Sequence, residues 1–130
     1  MNPLLVASAI AAAVLILRLA LKSRPSTSCR DASRAVQEGS AVLVDVREPG
    51  EWGSGVAQTA ALLPLSDLRG KRERWGSFLK ANSGKRIMLY CQSGMRSGMA
   101  ASILKAEGFD AANIGSFQDW KRQGLPVRTP

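Results

Sequence analysis

A chain of 130 residues, 45% apolar and 22% charged, has the size and composition of one ordinary globular domain. Its formal charge of +8 falls to +5 over residues 25–130 once Arg18, Lys22 and Arg24 are assigned to the N-terminal apolar run. That excess suits anionic substrates or lipid and is too diffuse for nucleic acid. With no histidine, a His base, a Ser-His-Asp triad and a His-ligated metal are all excluded, and Cys29 and Cys91 are too few for a disulfide framework or a cysteine zinc site. Neither a cofactor nor a metal is expected, so any chemistry falls to Cys, Arg, Asp/Glu, Ser or the backbone.

Leu4 to Leu17 carry one small polar residue, Ser8, and the run continues through Arg18 to Leu21. This approaches the ~20 residues a helix needs to cross a bilayer. A retained anchor over residues 1–22 is preferred to a cleaved signal peptide, because Met1-Asn2-Pro3 offers no basic side chain and no small-x-small cleavage site is obvious before Lys22. Positive charge follows the run, which predicts a single pass through the inner (cytoplasmic) membrane with the remainder facing the cytoplasm. Residues 23–28 read as a polar linker and residues 29–130 as the folded domain.

Ser28 with Asp31 resembles a capping box and opens a helix ending near Gly39. The continuous apolar run from Ala41 to Val46 suits a strand buried on both faces. Glu48 to Trp52 makes a helical turn, Ala61 to Pro64 a short strand, and Ser66 caps one amphipathic helix reaching Asn82. Arg86 to Tyr90 is a second buried strand, followed by a helix from Ser97 to Glu107, a weak strand at Ala111–Ile114 and a last helix from Ser116 to Gln123. This alternation predicts an α/β domain: three layers, with a central parallel sheet flanked by helices.

The segment Cys91-Gln92-Ser93-Gly94-Met95-Arg96-Ser97 joins the second strand to its helix. A tight loop can turn several N–H groups onto one anion, the helix N-terminus adds a positive dipole end, and Arg96 adds a permanent charge. Together they are expected to lower the Cys91 pKa without any histidine. A buried structural cysteine at a strand end is the plainer alternative.

Over about residues 26–128 the chain resembles the rhodanese family. Leu43-Val44-Asp45-Val46-Arg47-Glu48-Pro49 is similar to the family's first-strand motif. Glu51-Trp52 with Gly55, Ala60 and Leu63-Pro64 is similar to its next segment, although the usual Gly-His-Ile-x-Gly-Ala reads Gly55-Val56-Ala57-Gln58-Thr59-Ala60 here. Cys91 to Ser97 resembles the active-site loop, and Ile114-Gly115, Trp120 and Gly124-Leu125-Pro126-Val127 resemble the C-terminal signature.

The resemblance implies a sulfurtransferase that carries sulfane sulfur from thiosulfate or a persulfide, as a Cys91 persulfide, to a thiol, protein or cyanide acceptor. Cys91 and Arg96 would be catalytic; Gln92, Ser93, Gly94, Met95 and Ser97 would form the substrate-binding loop. Asp45 and Arg47 would either brace that loop or form an ordinary ion pair beneath it. Four residues separate Cys91 from Arg96, the family's sulfurtransferase length, whereas the related phosphatases carry one more. The rival reading is a membrane-anchored adaptor with little turnover. Expected partners are a small sulfur donor, an acceptor, lipid around the N-terminal helix and a membrane protein. The basic residues Arg69, Lys71, Arg72 and Arg74 read as a solvated helix face or a contact with anionic lipid, and Cys29 as an incidental thiol at the end of the linker.

Overall fold

A computed structural model describes residues 2–130, and Met1, the first residue of the expected anchor, lies outside them. In chain order the elements are α1 (Pro3–Ser23), α2 (Cys29–Gln37), β1 (Ala41–Asp45), a 3-10 turn (Pro49–Ser54), β2 (Val56–Ala57), β3 (Ala61–Leu62), α3 (Leu65–Arg69), α4 (Glu73–Ala81), β4 (Arg86–Cys91), α5 (Met95–Ala106), β5 (Ala111–Ser116), α6 (Phe117–Arg122) and β6 (Val127–Arg128).

The two continuous apolar runs become β1 and β4, neighbours in a four-stranded parallel sheet of order β3-β1-β4-β5. Both faces are covered, so successive side chains of one strand enter different cores. Ile87, Leu89 and Cys91 of β4 join Val44, Trp75 and Leu104 on one face. Met88 and Tyr90 join Leu43, Ala32, Cys29 and Trp120 on the other. Cys29 and Cys91 therefore lie on opposite sides of the sheet. Cys29 is 2% exposed rather than an incidental thiol of the linker, because Ser28 caps α2 through the Asp31 N–H and starts the helix one residue before it.

The stretch from Ser66 to Asn82 is two helices instead of one. Gly70 leaves the helical conformation and Arg72 takes a left-handed φ of 56°, so the chain turns between α3 and α4. Asp67, not Ser66, does the capping: its carboxylate accepts the N–H groups of Glu73, Arg74 and Trp75, each at 3.0 Å. The basic cluster is split by this turn, Arg72 pairing with Glu107 and Arg69 reaching Met99. A further antiparallel pair, β2 with β6, ties the C-terminus to the segment after the 3-10 turn.

Residues 24–26, inside the expected linker, lie along the end of β5. The Ser26 N–H donates to the Asn113 carbonyl at 2.9 Å, and the Asn113 amide donates to the Arg24 carbonyl at 3.4 Å. Before them, α1 is exposed along the residues whose side chains are described. Its apolar part, Pro3–Leu21, has a mean hydropathy of 2.5. By length and composition it suits a membrane anchor and a signal sequence alike.

Desolvation alone would raise the Asp67 pKa, but its three N–H donors and the charge of Arg74 outweigh it and hold the carboxyl below the ordinary 3.8. Asp67→Ala is therefore expected to lower Tm at about pH 7. A depressed pKa gives stability that is complete above the ordinary value and is lost as pH falls through the folded-state value. Wild type and variant should thus converge in strong acid, as thermal unfolding at about pH 7 and about pH 2 would show. A deficit independent of pH would assign the effect to side-chain volume instead.

Candidate active site

β4 delivers Cys91 to the C-terminal edge of the sheet with its side chain fully buried. The chain then turns through Gln92 and Ser93 to Gly94, whose φ of 93° is left-handed and strained for any residue with a Cβ. That turn aims the Gly94 N–H at Cys91 Sγ, 3.0 Å away. Gly94 is also the residue that precedes α5, which begins at Met95, two positions before the expected start. The first N–H groups of a helix lack partners within it, so the positive end of α5 is applied at the cysteine loop.

Because α5 begins early, Ser97 lies inside the first turn rather than capping it. Its hydroxyl sits 3.4 Å from Cys91 Sγ and 2.7 Å from Asn113 Oδ1. Asn113 carries no signal in the sequence, yet it organises the back of the loop. Its Oδ1 also accepts the Gly115 N–H at 3.0 Å, and its Nδ2 donates to the Gly94 carbonyl at 2.9 Å. These contacts fix which end of the amide is oxygen, and an amide oxygen only accepts, so the single Ser97 proton points at Asn113. Asn113 reaches this position because β5 is bulged: Asn113 pairs with Leu89 and Gly115 with Tyr90, leaving Ile114 as the extra residue.

The charged residues form two pairs. Arg47, 1% exposed, meets Asp45 at 2.8 Å and donates to the Gly55 carbonyl at 2.7 Å. Its guanidinium lies 4.6 Å over the Phe117 ring, and its remaining terminal nitrogen donates to Gln92 Oε1 at 3.3 Å. It is thus a buried ion pair and a brace on the loop at once. Arg96 makes a bidentate contact with Glu51, at 2.6 and 2.8 Å. This hydrogen bonding to Arg96 holds the Glu51 carboxyl below the ordinary carboxylate range. Glu51 raises the Arg96 pKa in return, with Cys91 and Glu48 adding to the effect.

The loop brings together Cys91, Gly94 and Ser97, while Gln92, Ser93 and Met95 form an uncharged exposed rim, Met95 being 45% exposed. Asn113 and Glu51 are the two site residues that motif spacing did not single out. Glu51 stands in the Glu-Trp pair of the family segment, and that was the available signal. Cys29 Sγ donates to the Ile114 carbonyl at 3.5 Å, and burial, helped by Asp119, pushes its thiol up to about 11. Across the sheet from Cys91, it is placed for packing rather than exchange. Among the described residues no three His, Cys, Asp or Glu side chains converge where a metal would fit.

Comparison with known proteins agrees with this geometry. The model of the rhodanese-like domain matches residues 28–123. An uncharacterised protein of Synechocystis is 39% identical over 93 residues, 70% of this chain, and the chain spans about half, 49%, of that relative's length. A rhodanese-related protein of Thermoplasma volcanium superimposes with a TM-score of 0.68 at 27% identity, over 82% of this chain and all of its own. A human single-domain sulfurtransferase has a TM-score of 0.62 at 23% identity, over 77% of this chain and 97% of its own. A Rhodopseudomonas palustris protein described as a possible tyrosine phosphatase has 0.64 at 24%, over 78% and 82%. At those identities the last two likenesses show the fold alone. The parallel α/β sheet, the cysteine loop at its edge and the family match over most of the chain agree, and the chain belongs to the rhodanese-like domain family.

Proposed function

We propose that the protein is a sulfurtransferase whose Cys91 carries sulfane sulfur as a persulfide. The observation that carries this reading is the Gly94 N–H aimed at Cys91 Sγ from 3.0 Å, at the start of α5, inside a loop with no other thiol. The Cys91 thiolate attacks the outer sulfur of thiosulfate, the S–S bond breaks, and sulfite leaves with the bonding pair. A persulfide donor reacts in the same way and releases its thiolate. The Cys91 persulfide is then attacked at its terminal sulfur by a thiolate or cyanide, which takes that sulfur and restores Cys91. Two half-reactions through a covalent intermediate give ping-pong kinetics.

The roles follow from the contacts. Backbone N–H groups around Gly94 stabilise the anionic sulfur. Ser97, which gives its proton to Asn113 while Cys91 holds a thiol, turns it toward the sulfur once that becomes an anion. Asn113 fixes the loop from behind, Arg47 and Asp45 brace it through Gln92, and Arg96, paired with Glu51, lines the mouth. Gln92, Ser93 and Met95 meet the acceptor.

A phosphatase reading has less support. The candidate acid at the mouth, Glu51, is held as a carboxylate by Arg96, and Gly94 already closes on the sulfur. The adaptor reading draws on the exposed helix α1, which would localise an enzyme equally well.

We propose further that α1 anchors the domain in the inner membrane, facing the cytoplasm. The 19 residues Pro3–Leu21 rise roughly 28 Å, close to a hydrocarbon core of ~30 Å. Residues 29–130 form the rhodanese-like domain and residues 23–28 join it to the anchor. Lipid and a membrane protein partner would then adjoin the site.

Intact mass spectrometry of the full chain in neutral detergent should show one sulfur added by thiosulfate or a low-molecular-weight persulfide, and removed by cyanide. Cys91→Ser should gain none; a wild type that never gains sulfur would leave the adaptor reading in its place. Asn113→Leu should slow transfer by about tenfold, the equivalent of ~1.4 kcal/mol, with the fold retained by circular dichroism. An unchanged rate would remove Asn113 from the site. The full chain should stay in the membrane fraction through alkaline carbonate washing, and release would argue for a cleaved leader.

A further inference from the structure

A guanidinium beside a nucleophilic cysteine ordinarily attracts oxyanions, but in this fold the charge of Arg96 is already answered. Both carboxylate oxygens of Glu51 face its terminal nitrogens. Deeper in, Arg47 is answered by Asp45. Glu48, by contrast, accepts from the Ser66 hydroxyl at 2.9 Å. Two cations, Arg47 and Arg96, each face one carboxylate, Asp45 and Glu51, so neither pair leaves net positive charge beside the loop. Gln92, Ser93 and Met95 add no charge at the rim, and the guanidinium of Arg69 is turned to Met99, a turn farther along α5.

We propose that Glu51 is a specificity-determining residue: by pairing with Arg96 it cancels the positive charge at the mouth and turns the site from doubly charged donors, such as thiosulfate, toward persulfides of low net charge. This rests on the sulfur-transfer reading above. Both donors pass one sulfur to Cys91 by the same S–S cleavage, but thiosulfate enters as a dianion and leaves sulfite, another highly charged group, at the same mouth. With its mouth cation already paired, the site offers neither a compensating charge, and that lack counts for more in a partly desolvated cleft than in water. A persulfide whose carrier bears a compensating ammonium meets little repulsion. Its stabilisation comes from the Gly94 N–H and the start of α5, which act on the sulfur itself and do not require net charge at the mouth.

The test compares Glu51→Gln with wild type, as full chains in neutral detergent, loading sulfur from thiosulfate and from cysteamine persulfide. Gln keeps the shape and one acceptor oxygen but leaves Arg96 uncompensated. The second-order rate with thiosulfate should rise about tenfold while that with cysteamine persulfide changes less than about twofold. The thiosulfate gain should fade near 1 M salt, where screening extends over only ~3 Å. Glu51→Asp, which restores the charge, should return the donor ratio toward that of wild type. Equal changes with both donors, or a loss with thiosulfate alone, would overturn the proposal and make Glu51 a mere support for Arg96, with the sulfur-transfer reading intact. Failure of every donor to load Cys91 in wild type would instead remove the sulfur-transfer reading, and this inference with it.

Discussion

The Cys91 sulfur is withdrawn from water, and the rest of the site answers to that constraint. An anion in such a position is costly unless fixed dipoles surround it. β4 supplies the burial and the Gly94–α5 turn supplies the dipoles, within four residues of one another. The left-handed φ of Gly94 lets a strand end and a helix start converge on one atom. A residue with a Cβ in its place would strain the turn that aims the N–H at the sulfur.

Loop geometry of this kind needs support from behind, because three residues cannot fix their own conformation. Asn113 provides it from the next strand, holding the Gly94 carbonyl, the Ser97 hydroxyl and the Gly115 N–H together. The same residue receives the Ser26 N–H and reaches the Arg24 carbonyl. The segment between α1 and α2 is therefore joined to the back of the cysteine loop through one residue, by its backbone carbonyl and its side-chain amide.

Charge at the site is arranged in answered pairs. Arg47 is deeply buried with Asp45, an arrangement in which removing either partner would leave an uncompensated charge in the core. Arg96 and Glu51 stand half-exposed at the mouth, where solvent screens them and the pair serves selectivity more than stability. With both guanidiniums paired, the donor aimed at the sulfur is the Gly94 N–H, which carries no counterion and cannot be titrated. That division lets the loop hold an anionic sulfur without drawing in every anion present.

Much of the fold was legible in the sequence because its signals are local. The apolar runs at Ala41–Val46 and Arg86–Tyr90 announced buried parallel strands, Ser28 announced α2, and the Cys-x-x-Gly-x-Arg spacing announced the loop. The break at Gly70–Arg72 was hidden because the apolar spacing of Leu68, Trp75 and Phe78 continues across it, while the cap that permits the break comes from Asp67 in the preceding helix. The pair β2 and β6 was hidden because two-residue strands have no periodicity. By itself the sequence determined the parallel α/β architecture, the cysteine loop that follows its second buried strand, and an N-terminal run apolar enough to span a bilayer. Only the tertiary structure decided that Asn113 supports the loop, that Glu51 answers Arg96 and that Cys29 and Cys91 lie across the sheet from each other. Those relations depend on a bulge in β5 and on strand order, which bring together residues far apart in the chain and leave no local pattern.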